Sequence, residues 1–363
     1  MTTGNQALRI AVIGGDGIGP EVVAAALPAI IEAAAAEDVH VDVTDLDWGG
    51  DRLLRTGEAM PVDGAELLRA HDAVLLGAVG HPELPPDVSI WSLVLPLRKA
   101  LDLYVNLRPV RAWPNVPSVV RGAEDTDFVV VRENTEGEYT GIGGRVHEGT
   151  ENEVATDVAV HSRRAIKRIA RYAFELARQR DQPLTLVTKS NVSRHGYALW
   201  DEVVFDVGET EFPDVALDKA YVDAMAARLI ERPGTLGVLL CSNLFGDILS
   251  DAGAPLVGGL GMAPSANVSP TGSGPGVFEP VHGSAPDIAG RSVANPLACV
   301  LSGALLLRAT GHETAAQTLE QAVGVALERE EGRTRDIGGR ASTVEVGEAV
   351  RVAVSAAIEE RAV

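Results

Sequence analysis

The sequence is poor in aromatic side chains, which make up only 4% of it, and has just two cysteines, Cys241 and Cys299. A core therefore has to be built from Ala, Val, Leu and Ile, and the hydrophobic fraction of 46% is enough to build one. Both cysteines lie in apolar stretches (GVLLCSN and NPLACVL) without histidines at ligand spacing, which argues for buried free thiols rather than zinc or a disulfide framework. Positive charge is also scarce. Thirty-one Lys and Arg face 51 Asp and Glu, a formal net charge of −20. A field of that sign repels phosphate backbones and disfavours nucleic acid. It repels a dianionic substrate as well, so any anion site must be a local cluster of arginines or lysines. Long apolar runs are missing too: residues 294–307 form the best candidate, too short and too broken by Asn295 and Pro296 to span a bilayer. The opening residues MTTGNQALRI lack a basic patch followed by an apolar core. The expectation is a cytoplasmic protein with no membrane partner.

The length of 363 residues suits two domains. Leu8–Ile13 reads as a strand, followed by the turn Gly14-Gly15-Asp16-Gly17-Ile18-Gly19-Pro20 and a helix from Glu21 to Glu37. Further strands are expected at Val39–Val43 and Ala73–Leu76, with a helical stretch at Gly64–Ala70. Such alternation predicts an α/β fold with a mostly parallel sheet. Tyr104–Val110, Phe128–Val131 and Glu153–Val160 read as strands with few helices between them, and Ser162–Arg180 as a long amphipathic helix. Leu184–Val187, Ala216–Val222 and Leu236–Leu240 read as apolar strands alternating with helices again. Residues 254–286 are rich in Gly, Pro and Ser and read as functional loops. Helices over Pro296–Thr310, Glu313–Arg329 and Ser342–Glu360 close the chain.

Five local features carry chemistry. The spacing Gly15-x-Gly17-x-Gly19 is not the dinucleotide pattern G-x-G-x-x-G, so a tight strand-to-helix turn explains it at least as well as phosphate binding. Arg98 and Arg108 flank an apolar stretch and Arg132 ends another; three such arginines would suit a diacid, or could be separate ion pairs. Asp247 and Asp251 stand at i and i+4 on one helix face with no cation on that face, which suits a divalent ion such as Mg2+ or Mn2+; a solvated helix face is the alternative, and the apolar neighbours Leu244, Phe245, Ile248 and Leu249 weigh against it. Lys189 follows a strand and could act as a base, and Tyr139 could donate a proton, although each alone is equally an ordinary residue. Residues 279–290, Glu-Pro-Val-His-Gly-Ser-Ala-Pro-Asp-Ile-Ala-Gly, form a small-residue loop ending in an acid, which suits phosphates and an adenosine ribose.

Six segments together resemble the β-decarboxylating dehydrogenases, the family of isopropylmalate, isocitrate, homoisocitrate and tartrate/D-malate dehydrogenases, and the resemblance runs nearly end to end. They are Gly-Asp-Gly-Ile-Gly-Pro-Glu (15–21), Leu-Arg-Pro (107–109), Arg-Glu-Asn-Thr-Glu-Gly-Glu-Tyr (132–139), Lys-Ser-Asn (189–191), Asn-Leu-Phe-Gly-Asp-Ile-Leu-Ser-Asp (243–251) and residues 279–290. The resemblance implies a two-domain isopropylmalate/isocitrate dehydrogenase-like α/β fold with a mixed sheet running through both domains. It implies a discontinuous cofactor-binding domain (1–103 and 256–363) and a substrate, metal and dimerisation domain (104–255). Arg98, Arg108 and Arg132 would bind substrate carboxylates, and Asp223, Asp247 and Asp251 the metal, with K+ as a possible accessory ion. Lys189 would take the hydroxyl proton, Tyr139 would protonate the enol, and Asp223 would sit beside them in the catalytic set. Lys189 and Asp223 would come from the other subunit, so a homodimer with shared active sites is implied. Ile18, Glu279, His282, Gly283, Ser284, Ala285, Asp287 and Asn295 would contact the cofactor, and Asp287 is what NAD-using members carry. Trp91, Ser92, Val94 and Leu95 precede Arg98, where family members set specificity. Trp91 would fill the space an isopropyl group needs, which points to D-malate or tartrate. Leu95 keeps an apolar contact available for 3-isopropylmalate, and Ser92 and Pro96 stand out from the D-malate pattern. A regulatory subunit without catalysis would lack catalytic residues that are present here.

Overall fold

The computed structural model describes residues 7–272 and 274–361. The reading of the first six residues lies outside them. Strands are β1 Leu8–Gly15, β2 Val41–Leu46, β3 Ala73–Ala78, β4 Val105–Arg111, β5 Asp127–Glu133, β6 Gly143–Val146, β7 Val154–Asp157, β8 Leu184–Thr188, β9 Leu217–Tyr221, β10 Val238–Cys241, β11 Pro264–Val268 and β12 Gly276–Pro280. Helices are α1 Gly19–Ala35, α2 Gly50–Thr56, α3 Gly64–Leu68, α4 Pro86–Ser89, α5 Leu95–Ala100, α6 Arg163–Arg180, α7 Gly196–Glu211, α8 Val222–Glu231, α9 Asn243–Gly253, α10 Leu297–Ala309, α11 Glu313–Leu327 and α12 Thr343–Arg361. The fold is α/β with mixed strand pairing, and the chain divides into two compact units.

The first unit takes in the described residues of 7–103, 111–124 and 254–361. Its strands run in the order β2-β1-β3-β12-β11. All neighbours pair in parallel except β12 and β11, which are antiparallel. Every residue of β3 is buried, as expected of a parallel strand covered on both faces, while edge strand β2 alternates. Helix α10 is buried almost all round, so it lies within the core rather than on its rim. Small residues let helices close up without aromatics: a Cβ on Gly303 would run into Ile30 of α1, and one on Gly347 into the Ala25 carbonyl. Two expectations change here. The stretch 254–286 is not all loop, because β11 and β12 lie in it; at five residues each, with Gly and Pro at their ends, they carry little periodic signal. Residues 111–124 fall in this unit, where Arg333 donates to the Asn115 carbonyl and Val116 packs at Gly258.

The second unit comprises residues 104–110 and 125–253, with strand order β4-β5-β10-β8-β9. The strands β5, β10, β8 and β9 pair in parallel. Helix α6 begins at the Ser162 hydroxyl, which accepts from the Ala165 N–H at 3.1 Å, and buries an Ala/Ile/Phe stripe. Phe174 of that stripe stacks on Phe212 at 5.1 Å. The strand expected over Glu153–Val160 is only Val154–Asp157, and it pairs with β6 as a separate two-stranded ribbon whose eight residues are all exposed. Both cysteines are buried free thiols, and burial pushes Cys299 up to about 12. No described helix is long and apolar enough to cross a membrane.

Candidate active site

In the second unit, β4 and β5 each present an arginine to helix α9. Arg132, at the end of β5, is 1% exposed, and Arg108 of β4 is 7% exposed. A buried guanidinium must have its donors answered. Arg132 Nη1 reaches Asp247 Oδ1 at 2.5 Å, while Nε and Nη2 both donate to Asn243 Oδ1, at 3.0 and 2.7 Å. Arg108 Nη2 lies 3.2 Å from the same Asp247 oxygen, and its Nη1 donates to Asp251 Oδ1 at 2.9 Å and Ser250 Oγ at 2.8 Å. Its Nε donates to Asn106 Oδ1 at 2.8 Å. The two carboxylates of α9 are therefore compensated by cations, which come from neighbouring strands rather than from the helix face. Gly246, on the turn between Asn243 and Asp247, lets Arg132 lie flush on the helix; a Cβ there would stand 2.6 Å from Arg132 Cβ.

Tyr139 completes this group. Its hydroxyl donates to Asp247 Oδ2 at 2.8 Å, and its ring lies 5.3 Å from the Arg132 guanidinium carbon. Burial, reinforced by the Asp247 charge, pushes the phenol up to about 12. Asp251 is half-exposed, yet its carboxyl is also raised, partial burial outweighing the pull of Arg108. Asn243, Asn106 and Ser250 belong to this network, and the sequence reading gave none of them a role although Asn243 and Ser250 lie in the quoted 243–251 segment. Neutral polar residues carry no charge signature; strand alternation puts Asn106 on the side of Arg108, while only the fold brings Asn243 to Arg132 and Ser250 to Arg108.

Lys189 and Asp223 form a second pair in this unit. Lys189 Nζ lies 2.7 Å from Asp223 Oδ1 and 5.9 Å from the Tyr221 ring centre, and its hydrogen bond holds Asp223 below the usual carboxylate range. Among the described residues, no three His, Cys, Asp or Glu side chains gather into a metal-sized cluster. One chain thus brings Asp247 and Asp251 together but not Asp223. The donors of α9 are hard carboxylate oxygens one helical turn apart, a chemistry that fits Mg2+ or Mn2+ and leaves the coordination to be completed from elsewhere.

The first unit holds the remaining candidates. The Gly-rich turn after β1 is consumed by packing: the Asp16 N–H donates to the Ala78 carbonyl and the Ile18 N–H to the Ser284 carbonyl, both at 2.8 Å. Gly17 has φ +57°, and a Cβ there would collide with the Ser284 carbonyl. Asp16 is buried, accepting from the N–H groups of Gly50 at 2.6 Å and Gly80 at 2.7 Å, and so ties three loops together. The turn is structural, and it seats the 282–287 loop. In that loop Ala285 has a left-handed φ of +38° and Asp287 is exposed. His282 Nδ1 contacts the Gly283 carbonyl at 3.0 Å, its Nε2 is buried without a hydrogen-bond partner, and burial lowers its pKa. An orphaned ring nitrogen in a loop that also carries an exposed acid fits a ligand with both a heterocycle and hydroxyls, as NAD has. Asn295 is used internally: Oδ1 accepts from the Leu297 N–H at 3.0 Å and Nδ2 donates to Asp336 at 3.1 Å.

Arg98 is buried and paired with Glu279 Oε1 at 3.1 Å, an oxygen that also accepts from Asn267 at 2.8 Å. Just before it, residues 90–94 make one wide π-helical turn in which the Leu95 N–H bonds to the Ile90 carbonyl. Pro96, unexpected from sequence, stands directly after this π turn inside one continuous helical stretch over 86–100, and the widened turn is where a residue without an N–H is accommodated. Trp91 is 43% exposed with Lys99 Nζ 5.5 Å from its ring centre, Leu95 is buried, and Ser92 and Val94 are half-buried.

Comparison with known proteins gives the family. The model of the isocitrate/isopropylmalate dehydrogenase family matches residues 9–350. An Agrobacterium vitis protein named "Probable tartrate dehydrogenase/decarboxylase TtuC'" is 45% identical over 352 residues, covering 96% of this chain and 98% of the relative. A 3-isopropylmalate dehydrogenase of Corynebacterium efficiens is 46% identical over 355 residues, covering 96% of this chain and all of the relative. Among solved structures, isocitrate dehydrogenase from Methylococcus capsulatus superposes with a TM-score of 0.86 at 35% identity, covering 95% of this chain and 99% of that one.

Proposed function

Because the chain belongs to the isocitrate/isopropylmalate dehydrogenase family, we propose that this decarboxylating hydroxy-acid dehydrogenase uses NAD and Mg2+ or Mn2+ to convert D-malate to pyruvate and CO2, or to act on tartrate. The observation that carries the proposal is the convergence of Arg108, Arg132 and Tyr139 on the carboxylates of α9. Buried, permanently cationic guanidinium groups can grip the carboxylates of a dianion that the rest of an acidic surface repels. Arg98 is carried forward as a third substrate arginine on the family motif alone.

The residues divide the work. Asp247 and Asp251, with Asp223 from a second copy, would hold the divalent ion, which when bound polarises the hydroxyl and the carbonyl oxygen that replaces it. NAD, when bound, accepts the hydride; Ile18, Glu279, His282, Gly283, Ser284, Ala285, Asp287 and Asn295 are proposed to hold or frame it. Lys189, oriented by Asp223, takes the hydroxyl proton. Arg108 and Arg132 keep the departing carboxylate aligned while its C–C bond breaks. Tyr139, still protonated at neutral pH, donates to the carbon that CO2 leaves.

The ribbon β6–β7 supports a homodimer. A lone two-stranded ribbon is marginal, and this one leaves Ile142, Val146, Val154 and Val158 exposed. A second substrate reading, 3-isopropylmalate, draws on the Corynebacterium relatives; the bulk of Trp91 favours the smaller C4 diacid.

Following NADH absorbance with D-malate, tartrate, 3-isopropylmalate and isocitrate in the presence of Mn2+ tests the proposal. It predicts turnover of D-malate or tartrate; preference for 3-isopropylmalate would move the chain to the second reading, and no NADH from any of the four would overturn both.

A further inference from the structure

The two arginines of the second unit are held on their inner edges by amide oxygens, not carboxylates. Asn243 Oδ1 takes two donors of Arg132, and Asn106 Oδ1 takes the Nε of Arg108. Both asparagines are buried. The orientation of the Asn243 amide is fixed by its own donor, since Nδ2 bonds to the Glu136 carbonyl at 2.9 Å and the oxygen must then face Arg132. A carboxylate in either place would hold the guanidinium equally well and bond more strongly. It would also tip a balanced cluster to net negative charge. Arg98 in the first unit shows that alternative, paired with Glu279.

We propose that Asn243 and Asn106 are positioning residues that fix Arg132 and Arg108 for diacid binding without adding negative charge to a cluster that Asp247 and Asp251 already balance. The inference rests on the substrate role given to these arginines above. It follows from a local balance: Asp247 and Asp251 already supply two negative charges to two guanidinium groups. Two further carboxylates would give the cluster a net charge of the same sign as the substrate. An amide supplies the acceptor without the charge, and Asn is nearly isosteric with Asp, so the choice between them isolates charge from shape.

Asn106→Asp and Asn243→Asp test this, with the binding of malonate, a dicarboxylate lacking the reactive hydroxyl, measured by calorimetry on the full-length protein with Mn2+. Each variant is expected to weaken malonate binding and raise the KM of the turned-over diacid about tenfold or more, with kcat changed less than about threefold and KM for NAD unmoved. Asn106→Asp leaves the Asn243–Glu136 bond intact, so it decides the matter should Asn243→Asp fail to fold. Wild-type-like malonate affinity in folded Asn106→Asp, or a fall in kcat without a change in KM, would overturn the inference. Absence of diacid turnover by the wild-type chain would instead overturn the proposed function beneath it.

Discussion

The Tyr139 hydroxyl donates to Asp247 Oδ2 at 2.8 Å, while the other oxygen of that carboxylate is held by Arg132. Asp247 therefore fixes a proton donor and a cation with one side chain. Replacing Tyr139 by Phe keeps the ring over Arg132 and removes only the donor. The expected result is a fall in kcat of about a hundredfold or more with KM for the diacid changed less than about threefold. Steady-state kinetics across the two substrates checks it, and an unchanged kcat would remove Tyr139 from the proton pathway.

The phenols of Tyr139 and Tyr172 are pushed up to about 12, in each case mainly by burial, above the ordinary value of 10. The folded state thus favours their protonated form. Their contribution to stability is fully present below pH 10 and is lost as pH rises from 10 through 12. Tyrosinate absorbance of the native protein should show these two groups silent at about pH 11 and appearing only on unfolding. Urea midpoints should fall over the same interval.

Gly246 has no room for a side chain, because a Cβ would meet Arg132 Cβ at 2.6 Å and Cγ at 2.7 Å. Both neighbours are buried parts of a fixed arginine, so Gly246→Ala should displace the guanidinium rather than be absorbed. The account expects KM for the diacid to rise about tenfold or more while KM for NAD stays within about twofold. Paired kinetic measurements on the two substrates would expose an indiscriminate folding defect as a change in both.

Much of this site was legible in the chain, and the reasons for what was not are specific. Asp247 and Asp251 announce themselves by helical spacing, and Arg132 by closing an apolar strand. Their mutual compensation could not be read, because Arg108 and Arg132 reach α9 from strands more than a hundred residues away along the chain. Asn106, Asn243 and Ser250 leave no trace in charge. β11 and β12 were hidden by their shortness and by the Gly, Pro and Ser around them. The Gly15-Asp16-Gly17 turn was ambiguous until the Ala78 and Ser284 carbonyls were seen to take its N–H groups.

One chain pairs Lys189 with Asp223 but gathers no third metal ligand around Asp247 and Asp251 among the described residues. If each active site borrows the former pair from a second copy, two inactive variants should rescue one another. Mixing Lys189→Met with Asp247→Asn chains, after unfolding and refolding together, should restore about a quarter of wild-type activity, since half the dimers then carry one intact site. No recovery, in a mixture shown to contain heterodimers, would place each site within a single chain.

The most direct test of the whole account follows the carbon. D-malate labelled with 13C in the carboxyl group remote from the hydroxyl should yield labelled CO2 and NADH in a one-to-one ratio, with unlabelled pyruvate left behind. NADH formed with the label retained in the organic product would contradict the decarboxylation assigned to this site.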